Sequence, residues 1–322
     1  MLTQVAPPTL TLAKPIAERD LIAEFLANKR SVNTKNAYRK DLRDFFNFSA
    51  GCDPTPQLVK EFFGLDRFEA IALVLSYKAG LISRGLSEAT INRRLSALKA
   101  LTNHARKLGQ ISWDLRDIAR EKAQSYRDTT GVTPETYKLM MAVPDRRTII
   151  GKRNYAILRL LWDNALRRSE VVNINLCDLN LNTRKIWITG KGQGSYKTEV
   201  TLTTATCDAL RDYFSARSPG KVLDPESPLF VAHDYRCAGK RLAADTIYNV
   251  VKKAAKVAGI DKVMSPHRVR HSSITAALDA TDGNVRDVQK LSRHKNLNTL
   301  MLYDDNRKDV QGSVSDRISN LI

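Results

Sequence analysis

The apolar residues in the first third of the chain recur every three or four positions, which is the period of an amphipathic helix. In the segment TKNAYRKDLRDFFNF, the side chains of Tyr38, Leu42 and Phe45 share one face. Either Asn33 or Thr34 is expected to cap this helix, because a short polar side chain at the N-cap accepts a hydrogen bond from the first helical turn.

A longer helix is predicted in EATINRRLSALKALTNHARKLG, with Ser87 as its N-cap and Gly109 at its C-terminal end. Residues 17–123 are therefore predicted to form one helical domain. The polar faces of the longer helix either are solvated or bind a polyanion. The apolar stripe comprises Ile91, Leu95, Leu98 and Leu101, and the polar set includes Asn92, Arg93, Arg94 and Lys99.

The helical pattern stops at residues 124–132, a polar segment without periodicity that we interpret as a linker. Thr133 followed by Pro134 then predicts the start of a new helix, since proline is favoured at the first helical position. We expect a second domain over residues 133–322 and a frayed tail over residues 1–16.

The second domain contains one stretch that alternates like β-structure. NYAILRLLWDNA is apolar on all sides and is expected to be a buried helix. After it, Ile186 and Ile188 alternate with Trp187, and a glycine-rich turn over residues 190–194 precedes a second alternating run. The fold class expected is mainly α with a small antiparallel sheet of two or three strands.

The charge of the chain indicates a polyanionic partner. Lys and Arg number 52 against 34 Asp and Glu, which gives a net charge of +18 over 322 residues, and the excess is spread over both halves. Such an excess favours nucleic acid as the partner.

The sequence also disfavours a membrane span and a zinc site. No apolar run is long enough to cross a membrane. The four cysteines form no C-x-x-C pair, which is typical of a reducing cytoplasm and disfavours a zinc site.

Two cations stand at positions where they could serve chemistry. Arg167, in NALRRSEVV, lies between two predicted helices, and Glu170 is close enough to hold its guanidinium. Lys191 lies in the glycine-rich turn, where the backbone can approach another molecule closely. The alternatives are a surface ion pair and an exposed turn lysine, because the spacing of a phosphate-binding loop is absent.

A second group of candidates lies near the C-terminus, in HRVRHS and LSRHKNLNTLMLY. His267 and Arg270 are three residues apart on a presumed helix, and His294 precedes Tyr303 by nine residues. Taken singly, each has a structural explanation. Together they fit metal-free phosphodiester transfer, in which arginines neutralise phosphate oxygens, a histidine donates or moves a proton, and tyrosine attacks phosphorus. No carboxylate cluster with two-metal spacing is visible.

These motifs in this order resemble the tyrosine recombinases of the phage integrase, Xer and Cre family. The family strings G-L-R-x-S-E, G-K-G, H-x-x-R-H and L-G-H correspond here to ALRRSE, GKG, HRVRH and LSRH, and the tyrosine lies nine residues after the last histidine. Three departures occur, at Ala165, Arg168 and Ser292-Arg293. The short N-terminal tail leads us to expect no arm-binding domain.

The resemblance implies a two-domain, C-shaped clamp around double-stranded DNA, in which residues 17–123 form a helical, SAM-like core-binding domain. It implies that Tyr303 forms a 3′-phosphotyrosyl link, that Lys191 protonates the leaving oxygen, and that Glu170 positions an arginine. It further implies that Arg167, Arg270 and His294 stabilise the phosphorane and that His267 assists as a hydrogen-bond donor or proton carrier. Neither a cofactor nor a metal is expected. The DNA-contacting residues expected are Thr34, Lys35, Arg39, Asn92, Arg93, Arg94, Lys99, Arg168, Arg268 and Arg293.

The resemblance also implies a homo-tetramer on two DNA sites. Val310, Val314 and Ile318 recur at helical spacing in the C-terminal segment, which either docks on a neighbouring protomer or packs on its own domain. The protein is expected to be cytoplasmic and associated with the nucleoid. Two alternative functions remain at this point: a type I topoisomerase-like nicking-closing enzyme, and a DNA-binding protein that has lost cleavage.

Overall fold

The computed structural model describes residues 19–122, 131–190, 196–220, 222–294, 296–297, 300 and 310–321. These residues form two compact units, the first within residues 1–125 and the second within residues 126–322. The described part is mainly helical with one small antiparallel sheet, which confirms the predicted fold class. None of its helices is long and apolar enough to cross a membrane.

The first unit consists of helices packed around an aromatic core. Phe45 lies at its centre and makes edge contacts with Phe62 and Tyr77 at ring-centroid distances of 5.3 and 5.2 Å. The helices described in this unit are α1 (Leu21–Ala27), α2 (Val32–Ala50), α3 (Pro56–Gly64), α4 (Arg67–Ser83) and α5 (Glu88–Lys107).

The predicted helix starts in this unit are partly right. Ser87 is the N-cap residue of α5, and Gly109 follows its C-terminus with φ +69°, as predicted. The predicted cap of α2 is wrong. The side chain of Ser31 accepts from the backbone N–H of Thr34, so Asn33 and Thr34 lie inside the first turn. Ser31 is an equally good cap by type, and the apolar periodicity alone could not fix the boundary within two residues.

The second unit surrounds a core built on α7, which is buried on most sides as the sequence predicts. Thr133 caps α6 and Pro134 is its first residue, also as predicted. The helices described in this unit are α6 (Pro134–Ala142), α7 (Ile149–Asp163), α8 (Arg168–Asn173), a 3-10 turn (Leu176–Asp178), α9 (Thr204–Arg217), α10 (Ala244–Val257), α11 (Pro266–Ala280), α12 (Val285–Ser292) and α13 (Val310–Ser319).

The sheet has three antiparallel strands in the order β1 (Leu179–Asn180), β2 (Lys185–Thr189) and β3 (Lys197–Thr201). Ile186 and Ile188 point into the core, and the register pairs Ile186 with Val200 and Thr189 with Lys197. The two long strands flank residues 191–195, which lie outside the described part of the chain and include most of the predicted glycine-rich turn.

Candidate active site

Arg270 is the most deeply buried cation of the candidate site, with 1% of its surface exposed. It lies on α11, which Ser265 caps by accepting from the N–H of Arg268 at 3.2 Å. Its guanidinium donates to the backbone oxygens of Ala165 and Ser292. These oxygens lie at the C-terminal ends of α7 and α12, where exposed carbonyls and the helix dipole favour a positive charge. Two helix ends therefore hold the buried arginine.

The end of α7 is shaped by a left-handed residue. Ala165 has φ +45° and follows the C-cap residue Asn164. The N–H of Leu166 returns to the carbonyl of Leu160 at 3.3 Å and so turns the chain back on the end of the helix. The resemblance gives glycine as the usual residue here, and alanine adopts this conformation at a cost of about 1–2 kcal/mol. The turn directs the Ala165 carbonyl at Arg270.

Arg167 is the N-cap residue of α8 and is held by Glu170. One carboxylate oxygen of Glu170 accepts from the backbone N–H of Arg167 at 2.8 Å, and the other accepts from its guanidinium at 2.7 Å. The Glu170 side chain is 1% exposed, whereas that of Arg167 is 28% exposed. The buried carboxylate thus fixes both ends of an arginine that still reaches solvent.

His294 lies beside Arg270, with 3.4 Å between its Nε2 and a guanidinium nitrogen of the arginine. Burial, followed by the positive charges of Arg270, Arg167 and Arg293 and then His267, lowers the pKa of His294 to about 4. A guanidinium can only donate, so Nε2 is the acceptor in this contact and the imidazole is neutral near pH 7. A neutral imidazole can exchange a proton with a phosphate oxygen without adding a third full charge.

His267 and His271 lie one turn apart on α11, and their Nε2 atoms are 2.8 Å apart. His267 is exposed and His271 is buried. The sequence did not single out His271 as a site residue, although its spacing of four from His267 predicts contact on a helix. His271 therefore supports the orientation of His267 from below.

Two of the six predicted catalytic residues, Lys191 and Tyr303, lie outside the described residues. Their predicted roles are not tested by the structure. The described residues bring together Arg167, Arg270 and His294. Glu170 is the counter-ion of both Arg167 and Arg293. Within these described ranges, no group of three His, Cys, Asp or Glu side chains is arranged to hold a metal ion.

The predicted DNA-contacting residues of the first unit differ in how firmly the protein itself holds them. Arg94 is nearly buried and pairs with Asp44, and Arg93 pairs with the buried Asp41.

The other predicted contact residues of the first unit form no such ion pair with any residue that the structure describes. Lys35 is half-buried and Arg39 is exposed, with a weak bond of 3.4 Å to Asn36. Thr34 is half-buried, Asn92 binds the backbone of Glu121 through both side-chain atoms, and Lys99 donates to the carbonyl of Ile118 at 2.6 Å.

In the second unit, Arg168 forms an exposed ion pair with Asp245 at 3.3 Å, and Arg268 donates to the carbonyl of Val263 at 2.8 Å. Arg293 differs from both, because its side chain is only 12% exposed and it donates to Glu170 at 3.3 Å. The sequence suggested Arg293 as a phosphate contact. In the structure its guanidinium donates to the backbone carbonyls of Asn164, Leu291 and Ala165 as well as to Glu170.

Comparison with known proteins gives matches to both units of the chain. The profile of the phage integrase family matches residues 131–309, and that of the phage integrase N-terminal SAM-like domain matches residues 22–109. A tyrosine recombinase of Synechococcus elongatus is 47% identical over 308 residues, which cover 96% of this chain and 95% of the relative. A tyrosine recombinase of Synechocystis sp. is 46% identical over 304 residues, 94% of this chain and 96% of the relative.

The fold is also found among solved structures. The XerH site-specific recombinase bound to its palindromic difH substrate, in a post-cleavage complex, shares the fold with a TM-score of 0.65 at 20% identity, over 88% of this chain and 80% of that chain. Since one family profile covers more than half of the chain and two relatives match nearly its full length, the chain belongs to the phage integrase family of tyrosine recombinases, site-specific enzymes that break and rejoin DNA through a tyrosine.

Proposed function

We propose that this recombinase cleaves duplex DNA by attack of Tyr303 on a scissile phosphate that binds between Arg167, Arg270 and His294. The observation that carries the proposal is the convergence of these three side chains from separate elements, with Arg270 held by two helix ends and Arg167 by a buried carboxylate. Preorganised donors of this kind stabilise charge that develops in a transition state.

The proposed reaction is a transesterification. A bond forms between the Tyr303 oxygen and phosphorus while the bond from phosphorus to the 5′-oxygen breaks, which leaves a 3′-phosphotyrosyl ester. Lys191 gives a proton to the departing 5′-oxygen, and His267 either accepts the proton of the tyrosine or donates a hydrogen bond to the phosphate. Attack by a 5′-hydroxyl on the ester reverses these steps and rejoins a strand. One ester replaces another, so no ATP is consumed.

We propose that both units bind the duplex, as a clamp, because cations occur in both. Among the cations of the first unit predicted to contact DNA, Lys35 and Arg39 are the best placed for phosphate contact. Neither forms an ion pair within the described part of the chain, and the contact of Arg39 with Asn36 is long, at 3.4 Å. Arg168 and Arg268 are the corresponding candidates in the second unit. A DNA-acting enzyme with this charge is expected in the cytoplasm, associated with the nucleoid.

We propose that four copies assemble on two DNA sites. The C-terminal segment supports this, because Ile318 on α13 and Leu321 just beyond its end are 59% and 83% exposed. On α4, Phe68, Leu75 and Ile82 are exposed at seven-residue intervals, which places a second apolar stripe on the surface. Both surfaces fit contacts between copies of the chain.

The proposed nucleophile is tested with a nicked duplex that traps the covalent complex, built on a target site selected from random DNA. The wild-type protein should accumulate a DNA adduct on a denaturing gel, in excess EDTA as well as in magnesium. Tyr303→Phe should bind the site with unchanged affinity and form no adduct, since only the attacking hydroxyl is lost. Tyr235→Phe, which alters an exposed tyrosine elsewhere in the second unit, is the matched control and should react normally.

Adduct formation by Tyr303→Phe would exclude this tyrosine as the nucleophile. Cleavage that disappears in EDTA and returns with magnesium would contradict the metal-free mechanism. A wild-type protein that binds its site tightly but never yields an adduct would instead be a binding protein with this fold.

A further inference from the structure

Arg293 occupies a backbone conformation that arginine rarely adopts. It is the C-cap residue of α12, with φ +55° and ψ +36°, in the left-handed region. Holding a side chain other than glycine there costs about 1–2 kcal/mol. The resemblance gives glycine at this position, immediately before His294. The arginine therefore requires a compensating interaction.

That compensation is the guanidinium, which is directed into the site. One terminal nitrogen donates to the carbonyls of Asn164 at 3.0 Å and Leu291 at 2.7 Å. The other donates to the carbonyl of Ala165 at 3.1 Å and to Glu170 at 3.3 Å. The three backbone oxygens lie at the C-terminal ends of α7 and α12. Arg293 thus joins the same two helix ends that hold Arg270, and adds α8 through Glu170.

Two of the groups that accept hydrogen bonds from Arg293 also accept from a proposed catalytic arginine. The carbonyl of Ala165 accepts from both Arg293 and Arg270. The carboxylate of Glu170 accepts from both Arg293 and Arg167. Arg293 thus contacts the anchors of both arginines, and its own backbone leads into His294.

Charge is consistent with a supporting role. Three guanidiniums and one carboxylate leave this cluster with a net charge of +2, which suits a phosphate. Arg293 nevertheless contributes its charge from beneath, since each terminal nitrogen of its guanidinium already donates to two acceptors within the protein. A contact with the phosphate itself would require it to give up several of its present partners.

We propose that Arg293 is a positioning residue, which clamps the ends of α7 and α12 and the Glu170 carboxylate so that Arg167, Arg270 and His294 face the scissile phosphate together. The inference rests on the roles proposed above for those three residues. The proposal explains why arginine stands where the family pattern has glycine. The backbone keeps the left-handed turn that glycine would adopt at no cost, and the arginine side chain makes the site more rigid.

The test compares Arg293→Gly and Arg293→Asn with the wild-type protein. Glycine and asparagine both tolerate the left-handed turn, so the backbone is preserved while the guanidinium is lost. Lys290→Ala, which removes an exposed cation on α12, is the control. The measurements are DNA affinity at a fixed salt concentration, the single-turnover rate of adduct formation at saturating protein, and thermal unfolding.

We expect both Arg293 variants to bind DNA within about threefold of wild type and to form the adduct roughly 10- to 100-fold more slowly, as small misplacements of reacting groups do. Lys290→Ala should match wild type. Equal adduct rates for wild type and both Arg293 variants would overturn the proposal. If one variant fails to fold, the other carries the comparison.

A second variant background separates positioning from direct contact. If Arg293 acts through Arg167, Arg270 and His294, then Arg293→Gly should slow adduct formation less in an Arg167→Ala protein than in the wild-type protein, because one of the groups that it positions is already lost. A full and independent defect in the Arg167→Ala protein would make Arg293 a phosphate ligand in its own right and overturn the proposal. If the wild-type protein forms no adduct, the proposed function itself fails, and this inference with it.

Discussion

Glu170 binds Arg167 twice, through the backbone N–H at 2.8 Å and through the guanidinium at 2.7 Å. The first contact satisfies an unpaired donor at the start of α8, and the second neutralises a charge. A carboxylate this deeply buried must be paired, because an unpaired buried charge is strongly unfavourable. The pair therefore links the stability of the fold to the geometry of the site.

Replacing Glu170 with alanine should lower the free energy of unfolding by about 2–3 kcal/mol. The magnitude is that of breaking a buried ion pair, reduced because Arg167 is partly solvated. Glu170→Gln should cost less, since its amide oxygen can still accept from the Arg167 N–H. Urea unfolding measures both. Glu199→Ala, which removes an exposed ion pair with Lys185, should change stability by less than about 1 kcal/mol. Equal effects at Glu170 and Glu199 would contradict this account.

His294 should titrate far below an ordinary histidine. Its pKa is lowered to about 4 by burial and by Arg270, Arg167, Arg293 and His267, so the folded protein binds fewer protons than the unfolded chain between about pH 4 and 6.5. Its contribution to stability is therefore fully present above pH 6.5 and is lost as the pH falls towards 4. NMR titration of the imidazole, with His294→Gln to assign the signal, measures the pKa. A value at or above 6.5 in the DNA-free protein would refute the prediction.

The double variant Lys35→Gln, Arg39→Gln should bind DNA less tightly and with a weaker dependence on salt. Each lost phosphate contact lowers the slope of log affinity against log salt by about 0.9, so the two together should lower it by roughly 2. Binding titrations at several salt concentrations give the slope. Lys60→Gln changes an exposed cation on α3 for which no contact is proposed, and its slope should equal that of wild type. An unchanged slope in the double variant would place the interface on another face of the first unit.

Deletion of residues 312–322 should separate binding from assembly. The exposed side chains of Ile318 and Leu321 are expected to cover a neighbouring copy, so the truncated protein should bind a single site normally but form no four-copy complex. A native gel and a recombination assay, run on the same preparations, test this. The double variant Ile318→Ser, Leu321→Ser should reproduce the loss without shortening the chain. Synapses formed by both altered proteins would show that the segment is not needed for assembly.

Local patterns in the sequence determined the main elements of the fold. The three- to four-residue period predicted α2 and α5, the Thr133-Pro134 pair predicted the start of α6, and the alternation around Ile186 and Ile188 predicted the sheet. These features depend on neighbours within a few residues, so they can be predicted from the sequence alone. The same locality explains the error at the start of α2, where Ser31, Asn33 and Thr34 are all good caps and only the folded backbone selects one.

The partners of the cations were decided by tertiary structure. In the first unit, Arg93 and Arg94 of α5 face Asp41 and Asp44 of α2, about fifty positions earlier in the chain, and helical spacing alone does not bring these residues together.

At the candidate site, the sequence supplied Arg167, Arg270 and His294 by motif. It could not show that Arg270 and Arg293 share the carbonyl of Ala165, which is separated from them by 105 and 128 residues. Every residue has a backbone carbonyl oxygen, so the sequence does not reveal which of these oxygens accepts a hydrogen bond from a given arginine. Only the packing of α11 against α7 and α12 determines which helix ends meet a guanidinium, and so whether an arginine faces DNA or holds the site together from beneath.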